Sequence, residues 1–120
     1  MSTPPRDVAE IRNWHAHVYF DPATRAIAAE LRGQVAERFP NARLGRWHEG
    51  KVGPHPQAMY QIAFENPDYP ALSAFLALNR RGLTILLHPE SGRPKEDHLH
   101  NALWMGAVLP LDASILDDTD

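Results

Sequence analysis

The chain has no cysteine in its 120 residues. That one absence excludes disulfides, thiolate metal sites and thiol nucleophiles. Long apolar runs are also missing. The most apolar stretch, residues 83–87, falls far short of the roughly 20 residues a membrane helix needs. The first dozen residues hold no apolar segment of signal-peptide type, so a cytoplasmic protein without a membrane partner is expected. Positive charge is scarce, with 12 Lys+Arg against 15 Asp+Glu and a net charge of -3. A nucleic-acid partner would call for a clustered basic face, and none is expected. No phosphate-binding Gly-rich loop, dinucleotide fingerprint or Gly-x-Ser-x-Gly elbow occurs, and there is no internal repeat.

What is present in unusual number is histidine, seven in all. The length suits one domain. A lead-in over 1–12, a single domain over 13–112 and an acidic tail over 113–120 are expected. Residues 14–20 alternate strictly, with Trp14, Ala16, Val18 and Phe20 on one face and His15, His17 and Tyr19 on the other, which predicts a strand. Asp21-Pro22 predicts a helix start, with Asp as N-cap and Pro at the first helical position. Ile27, Leu31, Val35 and Phe39 then recur every fourth residue until Pro40. A short strand is expected over 43–49 and a clearer one over 58–65. A second helix runs from Pro70 to a stop at Gly82, and a last strand covers 83–88. Residues 89–96 read as a polar loop, and 97–109 show no clear period. The order β-α-β-β-α-β is that of an α+β, ferredoxin-like sandwich with a C-terminal extension, in which both helices cover one sheet face and leave the other open.

Strand parity combined with that topology sorts the histidines. The apolar parity should face the helices, so His15, His17, Tyr19 and His88 point to the open face, and His55 leans the same way. The first strand is central in this fold, which brings His88 beside His15 and places His55 toward Tyr19. His98 lies on the extension that could fold over the same face. A single histidine is more often a surface group than a ligand; several on one face carry more weight. Imidazole is a common metal ligand, and a strand His-x-His pair sets two on one side. Without cysteine the ligands are nitrogen and oxygen, a set suited to Fe(II), Mn, Ni or Zn. Glu49, Glu65, Glu90 and Asp97 are the candidate carboxylates, with Asp97 alternatively orienting an imidazole. His48 and His100 are set aside. Trp104 reads mainly as packing. Asn79-Arg80-Arg81-Gly82 reads as a basic helix end that complements the helix dipole, with a substrate carboxylate as the alternative partner.

His15-Ala-His17-Val-Tyr19-Phe20, Gly53-Pro54-His55-Pro56, Asn79-Arg80-Arg81-Gly82, Leu87-His88-Pro89 and Asp97-His98 through Trp104-Met105-Gly106 occur in that order. Together they resemble the DOPA 4,5-dioxygenase family of fungal type, over roughly residues 13–112. The resemblance implies extradiol cleavage of a catechol such as DOPA by O2, a ferredoxin-like fold and a homodimer. It carries over onto His15, His17, His55, His88 and His98. It supplies no clear counterpart to the usual extradiol carboxylate ligand. On this reading Fe(II), or alternatively Zn or Mn, is held by His17, His88 and His98. His55 is the acid/base, His15 a fourth ligand or an orienting group, and Tyr19 a hydrogen-bond partner of substrate oxygen. The rival readings are a non-enzymatic dimeric binding module and a Zn hydrolase built on the same imidazoles.

Overall fold

A computed structural model describes residues 3–116 of the chain. The main elements are β1 (Asn13–Tyr19), α1 (Arg25–Arg38), β2 (Arg43–Leu44), β3 (Met59–Phe64), α2 (Tyr69–Asn79), β4 (Thr84–Glu90), α3 (Pro94–Leu99) and β5 (Leu103–Met105). They build one antiparallel sheet in the order β2-β3-β1-β4-β5. The first four strands follow the ferredoxin-like order, and β5 of the extension is added beside β4. No described helix is long and apolar enough to cross a membrane.

The expected parity holds. Ala16 and Val18 of β1, Tyr60, Ile62 and Phe64 of β3, and Ile85 and Leu87 of β4 lie in one core with Ala28, Leu31 and Val35 of α1 and Leu72 and Leu76 of α2. Each helix thus buries one narrow stripe on the same sheet face. The Tyr60 hydroxyl, buried there, donates to the Ala28 carbonyl, which satisfies a polar atom that would otherwise be costly in a core.

Four local expectations are corrected. The first helix starts at Arg25, with Thr24 as N-cap. Asp21 instead closes a turn: its carboxylate accepts from the Thr24 amide and hydroxyl, while the Asp21 amide donates back to the Thr24 hydroxyl oxygen. The strand expected over 43–49 pairs regularly only at Arg43–Leu44. Beyond it the Gly45 amide donates to Gln61 O, and His48 exchanges both backbone bonds with Met59. Three steps on this segment therefore oppose two on β3, the spacing of a β-bulge. The last strand of the β-α-β-β-α-β core runs on to Glu90. Pro89 is tolerated because β5 pairs only with Ile85–Leu87, leaving β4 an edge there. The sequence around His98, with no clear period, forms α3, which begins at Pro94.

The second sheet face is not open. Tyr19, Met59 and Leu86 form a second apolar cluster, covered by Val52, Trp104 and Leu109 among others. Trp104 stacks on Tyr19 at 6.0 Å, a packing role. Arg80 donates to Leu83 O and Arg81 pairs with Glu30, so the basic helix end serves local structure. The lead-in carries a 3₁₀ turn (Val8–Glu10), and Arg6 reaches Glu96 and Ser91 across the molecule. A further 3₁₀ turn (Ala113–Ile115) occupies the start of the segment expected as an acidic tail. Asp117, Asp118 and Asp120 of that tail lie outside the described residues.

Candidate metal centre

The rest of the second face is a bed of imidazoles. β1 supplies His15 and His17, and β4 places His88 directly opposite His15 in the ladder. The stiff Gly53-Pro54-His55-Pro56 loop brings the His55 ring to 4.2 Å from that of His17. α3 closes the bed by setting the His98 ring 4.0 Å from that of His88. His17, His55, His88 and His98 are buried, and His15 is partly exposed. His100 is exposed at the end of α3.

The outer nitrogens are tied to protein groups, which orients the rings. His88 Nδ1–H donates to Pro89 O at 2.9 Å, and His98 Nδ1–H donates to Pro94 O at 2.6 Å. His15 Nδ1 lies 2.7 Å from a Glu90 carboxylate oxygen. His55 Nδ1 and the Tyr19 hydroxyl share a hydrogen bond of 2.6 Å. Carbonyl- and carboxylate-anchored imidazoles are the usual support for metal-ligating histidines.

Inside the bed, the Nε2 atoms of His17 and His88 face each other at 3.0 Å. A shared proton relieves that repulsion, and a cation is the other way to do so. With the proton there, His17 Nδ1 is a bare lone pair, and it is buried with no hydrogen-bond partner. An orphaned ring nitrogen among inward-facing imidazoles fits a metal ion, and the all-nitrogen and oxygen donor set accepts a non-haem iron. Two triplets bring ligand atoms within 4.8 Å of one another: His15, His17, His88 and His17, His55, His98. The expected trio His17, His88, His98 draws on both, with ring centroids 5.1, 4.0 and 5.8 Å apart.

Electrostatics keep the bed neutral. Burial, followed by the neighbouring imidazoles, pushes His17 well below the ordinary histidine value. The same causes lower His55 to about 3 and His88 to about 4. Burial also lowers His98, and it raises Tyr19, which stays a neutral phenol. Burial pushes Glu90 up, but the hydrogen bond and charge of His15 outweigh it, so Glu90 is ionised.

Of the four candidate carboxylates, only Glu90 stands at the bed. Glu49 is held by Arg25 and Trp47, and Glu65 by Arg43. Asp97 is fully buried; it accepts from the Ser91 amide and hydroxyl and from Asn101 Nδ2. It thereby pins the turn before α3, and with it His98.

His15, His17, His55 and His98 line a cleft of about 400 Å³, with His88 buried beneath them; that volume is within the usual size for a small ligand. Its wall toward β2 carries Arg46 and His48, and its wall toward β4 carries Glu90. Tyr19 does not line it and reaches it only through His55. Arg46 was missed in the sequence because a regular strand would send it to the core. The bulge turns Gly45, Arg46 and His48 to the cleft while Leu44 and Trp47 pack on the core. A glycine inside a predicted strand was the available signal.

The sequence model described as the Dopa 4,5-dioxygenase family matches residues 14–115. The chain is 32% identical to a protein named DOPA 4,5-dioxygenase from Amanita muscaria over 116 residues, 90% of this chain and 51% of that protein. It is also 32% identical to an "Uncharacterized 21.2 kDa protein" from Botryotinia fuckeliana, over 95% of this chain and 68% of the relative. The chain thus spans about half to two thirds of the length of these relatives. A crystal structure described as a candidate dioxygenase, from Nostoc punctiforme, superposes with a TM-score of 0.90 at 45% identity, covering 92% of this chain and 96% of the other.

Proposed function

This chain belongs to the Dopa 4,5-dioxygenase family, and from that premise we propose that it is an extradiol dioxygenase, opening a catechol ring with O2 at a non-haem Fe(II) centre. The observation that carries the reading is the orphaned, buried His17 Nδ1 in a bed of oriented imidazoles at the floor of the cleft. His17, His88 and His98 would hold the ion, His88 once the proton between its Nε2 and that of His17 is given up. His88 and His98 are chosen because their outer nitrogens rest on backbone carbonyls. Iron(II) held there would supply the electron transfer that joins O2 to a catechol, and its charge would ease loss of a catechol proton.

The remaining side chains handle protons and position. His55 is neutral at working pH, so it would have a lone pair free to accept the catechol proton once a bound ion had made that proton more acidic. The Tyr19 hydroxyl both donates and accepts, so it stays bonded to His55 Nδ1 in either protonation state. Glu90 holds the His15 ring at the rim. Both atoms of O2 end in the open-chain product, so no added reductant is needed.

The test is to load the full chain with Fe(II) under nitrogen, then add air and simple catechols. Oxygen uptake should accompany a yellow ring-opened product. A folded His17→Ala chain that keeps full activity would overturn this site. Tight Zn(II) binding with no oxygen uptake for any catechol would instead point to a hydrolase built on the same imidazoles.

A further inference from the structure

Arg46 is a charged group of the cleft that the chemistry above leaves unused. Other arginines are occupied: Arg6, Arg25, Arg43 and Arg81 on carboxylates, Arg32 and Arg80 on backbone carbonyls. The Arg46 guanidinium has no such partner among the described residues, although Arg46 lines the imidazole cleft. Its place there is a product of the bulge. A regular continuation of β2 would turn residue 46 to the helix side, and the one extra residue before His48 turns it to the cleft instead.

The distances suit a substrate arm. Gly45 bonds to Gln61, and Gln61 lies directly opposite His17 in the ladder. Two strand spacings, about 10 Å, therefore separate the backbone beside Arg46 from that of His17. A ring seated over the imidazoles would leave a two-carbon arm within reach of the wall that Arg46 lines. A planar guanidinium matches a carboxylate in two parallel hydrogen bonds. The same wall carries no carboxylate to pair with an ammonium. The acidic side chain of the cleft, Glu90, is on the far wall and already bonded to His15.

We propose that Arg46 selects the substrate by binding the carboxylate of a catechol acid that lacks an α-ammonium group, such as a dihydroxyphenylpropionate. This rests on the ring-cleavage reading for the identity of the catechol, while the carboxylate site stands on Arg46 itself. Arg46 is exposed, so its replacement leaves the core intact.

Two measurements test it separately. Calorimetry on the full chain as purified, under nitrogen, would compare 3-(4-hydroxyphenyl)propionate with 4-ethylphenol and tyrosine, none of which is a catechol. The acid should bind about tenfold tighter than either, Arg46→Gln should abolish that advantage, and Arg46→Lys should keep part of it. Equal binding of acid and phenol, equal binding of acid and tyrosine, no binding of the acid, or an advantage that survives in Arg46→Gln would each overturn the proposal. In turnover, the preference for 3-(3,4-dihydroxyphenyl)propionate over 4-ethylcatechol should fall about tenfold in Arg46→Gln, through KM rather than kcat. An unchanged preference in an active chain refutes the role of Arg46 and leaves ring cleavage standing. No cleavage of any catechol refutes ring cleavage, and the calorimetry still decides Arg46.

Discussion

Mild acid should destabilise the metal-free chain, and the size of the effect follows from the imidazole bed. His17, His55 and His88 are held neutral in the folded state, with His55 lowered to about 3, His88 to about 4 and His17 well below the ordinary value of 6.5. The folded values lie below the unfolded one. Between them the unfolded chain binds more protons, so stability is whole above about pH 6.5 and is lost as the pH falls. At pH 5.5 an unfolded imidazole is about nine-tenths protonated, which costs the folded state about 1.4 kcal/mol per residue. Three such residues give about 4 kcal/mol, a large share of the roughly 5–15 kcal/mol a domain possesses. Carboxylates titrate near pH 4 and contribute little in this window. Urea unfolding of chelator-treated protein, followed by circular dichroism from pH 7.5 to 5.5, measures the slope. It should average about 1.5 protons taken up on unfolding across that range and reach about 2.5–3 at pH 5.5, with a melting temperature about 10–20 °C lower at pH 5.5. His88→Gln should lower the proton count by about one. A slope below one proton in the parent chain would show that the imidazoles are not held neutral and would refute this picture of the bed.

Metal binding should offset that loss. An ion at about 100 times its Kd adds about 2.7 kcal/mol at pH 7.5, visible as a raised melting temperature, and His17→Ala should remove the gain; an undiminished gain in that variant would place the ion elsewhere. Tyr19→Phe keeps the ring stacked on Trp104 but removes the oxygen bonded to His55. Its kcat should fall about 10–100-fold with little change in KM, and wild-type kcat would exclude Tyr19 from positioning His55. Asp97→Ala leaves three donors unanswered around a fully buried site. It should cost about 2–3 kcal/mol by chemical denaturation and loosen metal binding through His98; a chain as stable as the parent would contradict the role of Asp97 as a pin.

The parts of the fold that alternate or repeat were legible in the sequence. Trp14 to Phe20 and Tyr60 to Phe64 betray their two faces because a strand sends successive side chains to opposite sides. Leu31 and Val35 betray a helix by their spacing of four. The placement of His15 opposite His88 also follows, because an antiparallel ladder leaves the end of β4 no other neighbour than the start of β1. Helix α3 was less legible. Its six residues bury mainly Asp97 and His98, so no apolar stripe announces it.

The sequence by itself determined the chemistry available: nitrogen and oxygen ligands without thiols, histidines on one strand parity, and the order of elements that gathers them. That information is local and periodic, and periodicity survives without coordinates. Only the tertiary structure decided which carboxylate stands at the bed, that Tyr19 reaches the cleft through His55, and that Arg46 faces it at all. Those outcomes depend on one extra residue in a bulge and on long-range contacts such as that between Glu90 and His15. A single-residue slip reverses the face of every side chain beyond it, and no pattern of residue types reveals such a slip before the strands are paired.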